Sequence, residues 1–522
     1  MKKYLKFLPL LALGFVSCEP ELDNPIDEAG FYTNGEADFT NYVALGNSLT
    51  AGYADDALYI TGQENSYPNI MAQQFSLVQE TGAFKQPLMA DNAGGLLYAG
   101  TQIPDYETRY VLAVGASGPS PKRYAGATTT DITNVLSGPF NNMGVPGAKS
   151  FYLLAPGFGD LAGVSARTAN PYFVRFASSP QTSILADAVA QNPTFFSLQA
   201  GDNDVLSYAT SGGIGVDQTG NANVADYGYY DITDPGVVFK GSYSQIVTAM
   251  VGTGAGGVLM SVPDVTTIPY FTTIPNNALV LDAEKAAGLT GFFQAVAGIF
   301  TQKAMMGGAS MEQAQELAAQ YALTFNEGPN RFLIDVPASQ ANPLGFRQMT
   351  QQELLVLTID QQALAQGYGS VVLTPEVMEV LGILQQGGQP SAEQAGLVIN
   401  AVSGIDDKDV LDNQEIQAVA VATAAYNVII KDLAQANGLA FADVNALFAQ
   451  ISGGGFPYDA GTLTSQFVTG GAISLDGVHP TPRGYAALSN LIIDAVNQKY
   501  NSTVPKVNIG DYGTVTLSNE VE

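Results

Sequence analysis

The chain has 522 residues, of which 46% are hydrophobic and only 13% are charged, and its formal net charge is −28. A chain of this length and apolar content can bury a large core, in one elaborated domain or in two. The acidic balance opposes binding to nucleic acid, because no basic patch is available to neutralise phosphates, and it is typical of an exported protein that gains solubility from its charge.

The N-terminus has the pattern of an export signal over residues 1–17. Three lysines among the first six residues precede an apolar segment over residues 7–16, which is too short to span a membrane. The only cysteine of the chain, Cys18, follows directly and has no internal disulfide partner. The arrangement resembles the signal of bacterial lipoproteins, which implies lipidation of Cys18 and anchoring to the outer membrane, on its periplasmic or its external face. The alternative is a buried free thiol after an uncleaved helix.

Residues 18–40 are acidic, include two prolines and hold few large apolar side chains before Phe31, which predicts a flexible tether. Glu19, Glu21 and Asp23 are similar to the acidic export signals of some surface-exposed lipoproteins. An ordinary acidic tether is the alternative interpretation.

The next segment places a serine at a sharp turn after a buried strand. Residues 42–45 are an apolar, strand-like run, Gly46 permits the turn, and the residues after Ser48 can open a helix. The N-terminal dipole of that helix favours developing negative charge. We therefore predict Ser48 as a nucleophile, provided that a base can reach its hydroxyl.

Two later loops carry groups that suit an oxyanion. Residues 142–148 (NMGVPGA) contain Gly144, whose N–H can approach a ligand closely, although a simple turn glycine is the alternative. The apolar run over residues 194–200 predicts a strand that ends at Gly-Asp-Asn-Asp, at the sheet edge where open α/β sheets bind ligands. Asn203 in that loop supplies a neutral amide donor, and we expect the aspartate after it to brace the loop.

From residue 277 to residue 407 the pattern changes to helical spacing. Residues 311–321 and 350–364 are predicted as helices, broken from their neighbours by glycines and prolines. A third helix is indicated by an apolar series: Phe292, Phe293, Val296, Ile299 and Phe300. This mainly helical insertion is predicted either to form a lid that accommodates an acyl chain or to bury its apolar faces as ordinary core.

Residues 408–500 return to alternating helix and strand. Asp412 and Glu415 form a capping box at the start of a helix, and residues 439–444 are the following strand. Together with the earlier strands, this step favours a mostly parallel sheet with helices on both faces. The tail over residues 501–522 carries no chemistry that we identify.

The only histidine of the chain, His479, lies in a polar loop three residues after Asp476. Histidine is the side chain whose ordinary pKa suits a base at neutral pH, and a neighbouring carboxylate can fix its tautomer. Asp264, after an earlier strand, is a rival acid. A satisfied core histidine is the alternative reading of a lone His, but the glycine and proline beside His479 favour catalysis.

Four short motifs in chain order resemble the blocks of the SGNH (GDSL) hydrolases. Residues 46–49 (GNSL) resemble the Gly-Asp-Ser-Leu block, and residues 142–148 resemble the glycine block. Residues 201–204 (GDND) match the Gly-x-Asn-Asp block, and Asp476-x-x-His479 resembles the last block. The resemblance implies an α/β, flavodoxin-like three-layer fold over residues 41–276 and 408–500, interrupted by the helical insertion.

The resemblance also implies a function. Ser48, His479 and Asp476 would hydrolyse acyl esters through an acyl-enzyme, with an oxyanion hole from the Ser48 and Gly144 N–H groups and Asn203, and with no metal or cofactor. The expected substrate is a small acyl ester or a lipid. A carbohydrate O-deacetylase of the same family and a surface lipoprotein that binds without turnover are the alternatives. Asn47 departs from the family, which has an acid at that position.

Overall fold

The computed structural model describes residues 31–116 and 118–522. The predicted export signal, the predicted lipidation site Cys18 and most of the tether lie outside these ranges. Within them, a five-stranded parallel sheet forms the centre of the protein, in the order β5-β4-β3-β1-β2. Its strands are β1 (Tyr42–Gly46), β2 (Asn142–Gly144), β3 (Phe195–Gln199), β4 (Gly256–Met260) and β5 (Ala440–Ala442). The predicted α/β class with a parallel central sheet is confirmed.

Both faces of the sheet are covered, which is why its strands are almost continuously apolar rather than alternating. Every residue of β1 and β3 is buried. Along β3, the ring of Phe195 packs against Tyr500, whereas Phe196 points to the opposite face and crowds Gly257. Alternate residues of one strand therefore belong to two separate helical layers.

The helices in the described residues alternate with the strands. They are α1 (Ser48–Ala51), α2 (Ile60–Glu64), α3 (Tyr67–Phe75), α4 (Pro171–Val174), α5 (Ile184–Val189), α6 (Asn203–Thr210), α7 (Lys240–Val251), α8 (Pro269–Thr272), α9 (Ala283–Met306), α10 (Met311–Ala319), α11 (Gln361–Ala365), α12 (Pro375–Gln385), α13 (Ala392–Asn400), α14 (Asn413–Ala436), α15 (Val444–Gly453) and α16 (Pro482–Tyr500). Helices α14 and α16 both pack along β4 and β5, but α16 packs with α3 and α14 with α6 and α7. They therefore lie on opposite faces of the sheet.

Helix α14 begins at the predicted capping box, with Asp412 and Glu415 bonded reciprocally. By length and composition alone it is long and apolar enough to cross a membrane. Its residues Val419, Tyr426 and Ile430 are buried in the main core, so in this fold it serves as a core helix of the layer that covers β4 and β5.

The short strands outside the central sheet pair as antiparallel ribbons. They are Leu97–Tyr98 with Thr101–Gln102, Tyr110–Gly115 with Gly118–Arg123, Leu279–Leu281 with Gly328–Asn330, Leu333–Asp335 with Phe346–Gln348, Leu354–Leu355 with Val410–Leu411, Ser370–Val371 with Val402–Ser403, and Phe456–Tyr458 with Gly461–Leu463. The C-terminal tail runs along the second of these ribbons, where the Leu112 and Ala125 N–H groups donate to Thr516 and Glu520 carbonyls.

The insertion over residues 277–407 builds a core of its own. The apolar series on α9 is buried there together with Tyr321, Phe325 and Phe346. The predicted helix over residues 350–364 is wrong: Leu354–Leu355 is a strand, and only α11 at Gln361–Ala365 is helical. Glu353 is fully buried in an ion pair with Arg347, and tertiary pairing of this kind overrides local helical preference.

The boundary predicted between tether and domain at residue 40 is also moved by the structure. Ala37 and Phe39 are buried, and the ring of Phe39 stacks on Phe75 of α3 at 3.9 Å between centroids. The last residues of the predicted tether therefore belong to the folded domain.

Candidate active site

The structure brings together the serine, the histidine and the acid that the sequence indicates, although Ser48 and His479 are 431 residues apart in the chain. The Ser48 Oγ atom lies 2.9 Å from His479 Nε2, and His479 Nδ1 lies 2.8 Å from Asp476 Oδ2. The side chain of His479 is 13% exposed and that of Asp476 is 7% exposed. A hydroxyl, an imidazole and a carboxylate thus form one continuous hydrogen-bonded relay at the rim of the core.

The carboxylate of Asp476 is held by five donors. Its Oδ1 accepts the Val478 and His479 N–H groups at 2.8 and 2.9 Å and the Ser474 hydroxyl at 3.0 Å. Its Oδ2 accepts the Asp56 N–H at 3.0 Å in addition to the histidine ring. Burial alone would raise the pKa of Asp476, but the charge and hydrogen bond of His479 and the backbone donors outweigh it, so its pKa is lowered. The carboxylate therefore stays charged and accepts from His479 Nδ1–H.

Ser48 is the first residue of α1, directly after the turn that ends β1. The turn leaves no room for a side chain at Gly46, since a Cβ there would collide with the Gln199 carbonyl and the Thr50 hydroxyl. Asn47 caps the helix, since its Oδ1 accepts the Leu49 N–H at 3.2 Å. The Ser48 hydroxyl thereby stands at the carboxyl edge of the sheet with the positive end of α1 behind it.

The amide of Asn47 also contacts a buried carboxylate on the loop that follows β3. Asn47 Nδ2 donates to Asp202 Oδ2 at 2.6 Å, and Gln199 Nε2 donates to both oxygens of Asp202 at 2.9 Å. Burial raises the pKa of Asp202, and the bonds from Asn47 and Gln199 oppose that effect. Position 47 has no carboxylate, but Asp202 supplies one on the adjacent loop. Asn47 donates a hydrogen bond to it.

The predicted oxyanion donor Gly144 is not available for that role. Its N–H donates to Asn142 Oδ1 at 3.0 Å, and a Cβ at this position would collide with the backbone of Thr50 and Ala51. The physical reason for the glycine is therefore the close packing of α1 against β2. This corrects the prediction of Gly144 as an oxyanion donor.

The second glycine of the same block, Gly147, differs from Gly144 in the state of its N–H. Gly147 has a φ of +79°, which favours glycine, and among the described residues neither its N–H nor that of Ser48 has an acceptor. Asn203, at the start of α6, donates one amide hydrogen weakly to the Ala148 carbonyl at 3.3 Å. The amide of Asn203 therefore lies beside the loop of Gly147 and keeps a second hydrogen for a ligand.

Asp204 braces this loop, as the sequence predicts. It accepts the N–H and the hydroxyl of Ser150, each at 2.8 Å. The neighbouring Lys149 is 1% exposed and donates to the Asp231 carbonyl, and burial lowers its pKa to about 8 against the opposing charges of Asp204 and Asp231. The rival acid Asp264 is engaged elsewhere, because its Oδ1 accepts both the N–H and the hydroxyl of Thr266.

Sequence reasoning missed a second loop, which contains Asp55 and Asp56 and holds Asp476 in place. Asp55 accepts the Leu475 N–H and donates its own N–H to Ser474 Oγ, while Asp56 supplies its N–H to Asp476. Both aspartates have positive φ values, of 54° and 62°. In the sequence, the only local sign of this loop is a pair of adjacent acids. This loop orients Asp476 although the two are about 420 residues apart in the chain.

Two further side chains complete the surroundings. The ring of Tyr53 lies 4.7 Å from the His479 ring between centroids, and Arg123 pairs with Asp56 at 2.5 Å. Within residues 31–116 and 118–522, no group of three His, Cys, Asp or Glu side chains is arranged to hold a metal ion. Comparison with family models, with curated proteins and with solved structures finds no match for this chain.

Proposed function

We propose that this protein is a serine ester hydrolase of the SGNH type. The observation that supports the proposal is the relay from Ser48 Oγ to His479 Nε2 and from His479 Nδ1 to Asp476, at 2.9 and 2.8 Å. A binding protein has no need of a serine, a base and an ionised acid in hydrogen-bonded series. The four sequence motifs and the parallel α/β sheet are consistent with the same family.

In the proposed reaction, His479 Nε2 takes the Ser48 proton as Oγ attacks the carbonyl carbon of the ester. The resulting oxyanion accepts from the Ser48 and Gly147 N–H groups and from the Asn203 amide. The imidazolium then gives its proton to the departing alcohol, leaving an acyl group on Ser48. A water molecule, deprotonated by His479, attacks that acyl-enzyme, and the acid is released as Ser48 recovers its proton.

Asp476 supports both halves of this cycle. Since its carboxylate accepts from Nδ1, the neutral imidazole keeps Nε2 unprotonated and directed at Ser48. The same negative charge stabilises the imidazolium when it forms. We further infer that the chain is exported and anchored at the outer membrane through Cys18, on the strength of the N-terminal pattern alone.

The experiment uses the soluble form that begins after Cys18. Hydrolysis of p-nitrophenyl acetate, butyrate and laurate is measured for the wild type, for Ser48→Ala and His479→Ala, and for Asp264→Asn as the matched control. We expect the first two substitutions to lower kcat by about 10³-fold or more and the control to retain wild-type turnover.

A second readout does not depend on the choice of ester. A fluorophosphonate probe should label the wild type at Ser48, as detected by peptide mass spectrometry, and should leave Ser48→Ala unlabelled. A folded wild-type protein that neither turns over any of the esters nor takes the probe would refute the esterase proposal and leave a lipoprotein that binds without turnover.

A further inference from the structure

The proposed base is in contact with an aromatic ring to which the proposed reaction gives no role. The ring of Tyr53 lies 4.7 Å from that of His479 between centroids, with 54° between the two planes. Within residues 31–116 and 118–522, no second aromatic ring packs against His479. The imidazole is otherwise held through its two nitrogens, by Ser48 and by Asp476. Tyr53 is therefore the side chain to ask about next.

The backbone of Tyr53 is fixed on both sides. Its N–H donates to the Ser48 carbonyl at 3.0 Å, and its carbonyl accepts the Tyr485 hydroxyl from α16 at 2.7 Å. The preceding Gly52 ends α1 with a φ of +82°, and a Cβ there would collide with the Gly62 carbonyl. The short helix that begins at Ser48 therefore also delivers Tyr53 to the same site.

The side chain of Tyr53 is also held in one orientation. Its ring packs edge-to-face on Tyr172, with 6.3 Å between centroids, and Tyr172 is buried in a small core beside the site. The Tyr53 hydroxyl lies 3.5 Å from Asp56 Oδ1, at the limit of a hydrogen bond. Burial raises the pKa of Tyr53 well above its usual value, so the phenol is neutral. Tyr53 thus brings a ring to His479 rather than a charge.

The imidazole needs such a support at one stage of the proposed reaction. Before the reaction, Ser48 bonds to Nε2 and Asp476 bonds to Nδ1, so the ring is held at both ends. Acylation replaces the hydroxyl proton of Ser48 by an acyl group, and Oγ can no longer donate to Nε2. The torsion that turns a histidine ring has broad minima, so the one remaining hydrogen bond lets the ring rock about Asp476. The contact with Tyr53 involves neither the lost proton nor the substrate, and it persists in the acyl-enzyme.

We propose that Tyr53 is a positioning residue that holds the His479 ring in place in the acyl-enzyme, when Ser48 no longer does so. This inference rests on the proposed ester hydrolysis and concerns its second half, in which Nε2 takes a proton from water as the water oxygen attacks the acyl carbon. A ring that rocks away from that water slows this step. Acylation depends less on Tyr53, because Ser48 is then still bonded to Nε2.

Burst kinetics separate the two halves of the reaction. p-Nitrophenyl acetate releases p-nitrophenol on acylation, whereas the acetyl group leaves only on deacylation. We expect Tyr53→Ala to lower kcat at least tenfold but kcat/KM no more than threefold, with an initial burst of about one equivalent of p-nitrophenol.

Three more variants accompany it. Tyr53→Phe keeps the ring and should retain both constants within threefold. Tyr53→Leu keeps much of the apolar volume without a ring, so it should behave like Tyr53→Ala and provides the test if that variant does not fold. Tyr98→Ala, at an exposed tyrosine of an antiparallel ribbon, is the matched control and should retain wild-type kinetics.

The only histidine of the chain gives a readout that needs no turnover. With nitrogen-15-labelled histidine, the Nδ1–H that bonds to Asp476 gives a single NMR signal. In Ser48→Ala the ring lacks its partner at Nε2, as it does in the acyl-enzyme. We expect the signal to persist in Ser48→Ala and in that variant with Tyr53→Phe added. Adding Tyr53→Ala instead should speed exchange of this proton with water at least tenfold.

The outcomes separate the two proposals. Turnover of esters by the wild type, with kcat and kcat/KM lowered equally by Tyr53→Ala or with equal damage from Tyr53→Phe, would overturn the role of Tyr53 and leave the hydrolase intact. Unchanged exchange of the Nδ1–H proton in Ser48→Ala with Tyr53→Ala would overturn it as well. Faster exchange in that double variant, with a wild type that neither turns over esters nor takes the fluorophosphonate probe, would uphold the support of the ring by Tyr53 and refute the hydrolase.

Discussion

Replacing Asn47 by aspartate restores the residue that the SGNH family has before the serine, and we expect it to be harmful in this chain. Asn47 Nδ2 donates at 2.6 Å to Asp202, whose carboxylate is buried. In Asn47→Asp a carboxylate oxygen would replace that donor. Two acidic groups would then face each other at the base of the turn that holds Ser48.

The size of the effect follows from this contact. Loss of the hydrogen bond to a charged group costs about 1.5–3 kcal/mol, and two like charges about 4 Å apart repel by about 4 kcal/mol at an effective dielectric constant of 20. The free-energy cost of the repulsion has an upper limit, because one carboxyl can take up a proton instead. Holding a carboxyl of ordinary pKa neutral at pH 7 costs roughly 4 kcal/mol. We expect Asn47→Asp to lower the free energy of unfolding by about 3–5 kcal/mol at pH 7.

The exchanged pair supplies the control. In the double variant Asn47→Asp with Asp202→Asn, an amide at position 202 again donates to a carboxylate at position 47, which still accepts the Leu49 N–H. We expect it to regain most of the stability, as measured by chemical denaturation, and most of the p-nitrophenyl acetate turnover. A single variant Asn47→Asp that is as stable and as active as the wild type would refute this reasoning.

Three further predictions concern residues around the site. Arg123→Met should lower the free energy of unfolding more at pH 8 than at pH 4, as seen in denaturant melts, because Arg123 opposes the rise in the pKa of Asp56 that burial causes. Asp204→Ala should lower the free energy of unfolding by about 2–4 kcal/mol, as seen in denaturant melts, since it leaves the buried N–H and hydroxyl of Ser150 without an acceptor and removes one of the two charges that oppose the burial of Lys149. Burial raises the pKa of Asp55 to about 6, so Asp55 binds a proton more tightly in the folded protein than in the unfolded chain. The free energy of unfolding of the protein therefore falls as the pH rises from about 4 to 7. Asp55→Asn should therefore gain about 3 kcal/mol over the wild type at pH 8 but little at pH 4, again by denaturant melts.

The parts of the fold that the sequence predicts are those whose signal is local. The apolar runs that become β1, β3 and β4 are buried on both faces, and the capping box of α14 lies within four residues. The error over residues 350–364 has the opposite origin. Its apolar residues join the main core as a strand and a turn because Glu353 pairs with Arg347 on another ribbon, a contact that helical periodicity does not encode.

The same distinction separates the site residues. The sequence predicts His479 because the chain has only one histidine. It predicts Ser48 and Asp476 because they lie in motifs that follow one another in a recognisable order. The choice between Gly144 and Gly147 depends on which N–H already has an acceptor, and Asn142 decides it from two residues away through its side-chain conformation. No spacing rule contains that information.

The loop of Asp55 and Asp56 explains why the acid of the relay must be a carboxylate. Each oxygen of Asp476 faces only donors: three on Oδ1 from its own loop, and the His479 ring and the Asp56 N–H on Oδ2. An amide nitrogen in either position would point its hydrogens at those donors, and rotation of the amide by 180° would only move the conflict to the other side. The loop that fixes the orientation of the acid therefore also excludes its neutral isostere, and the charge on Asp476 is required by its surroundings as well as by His479.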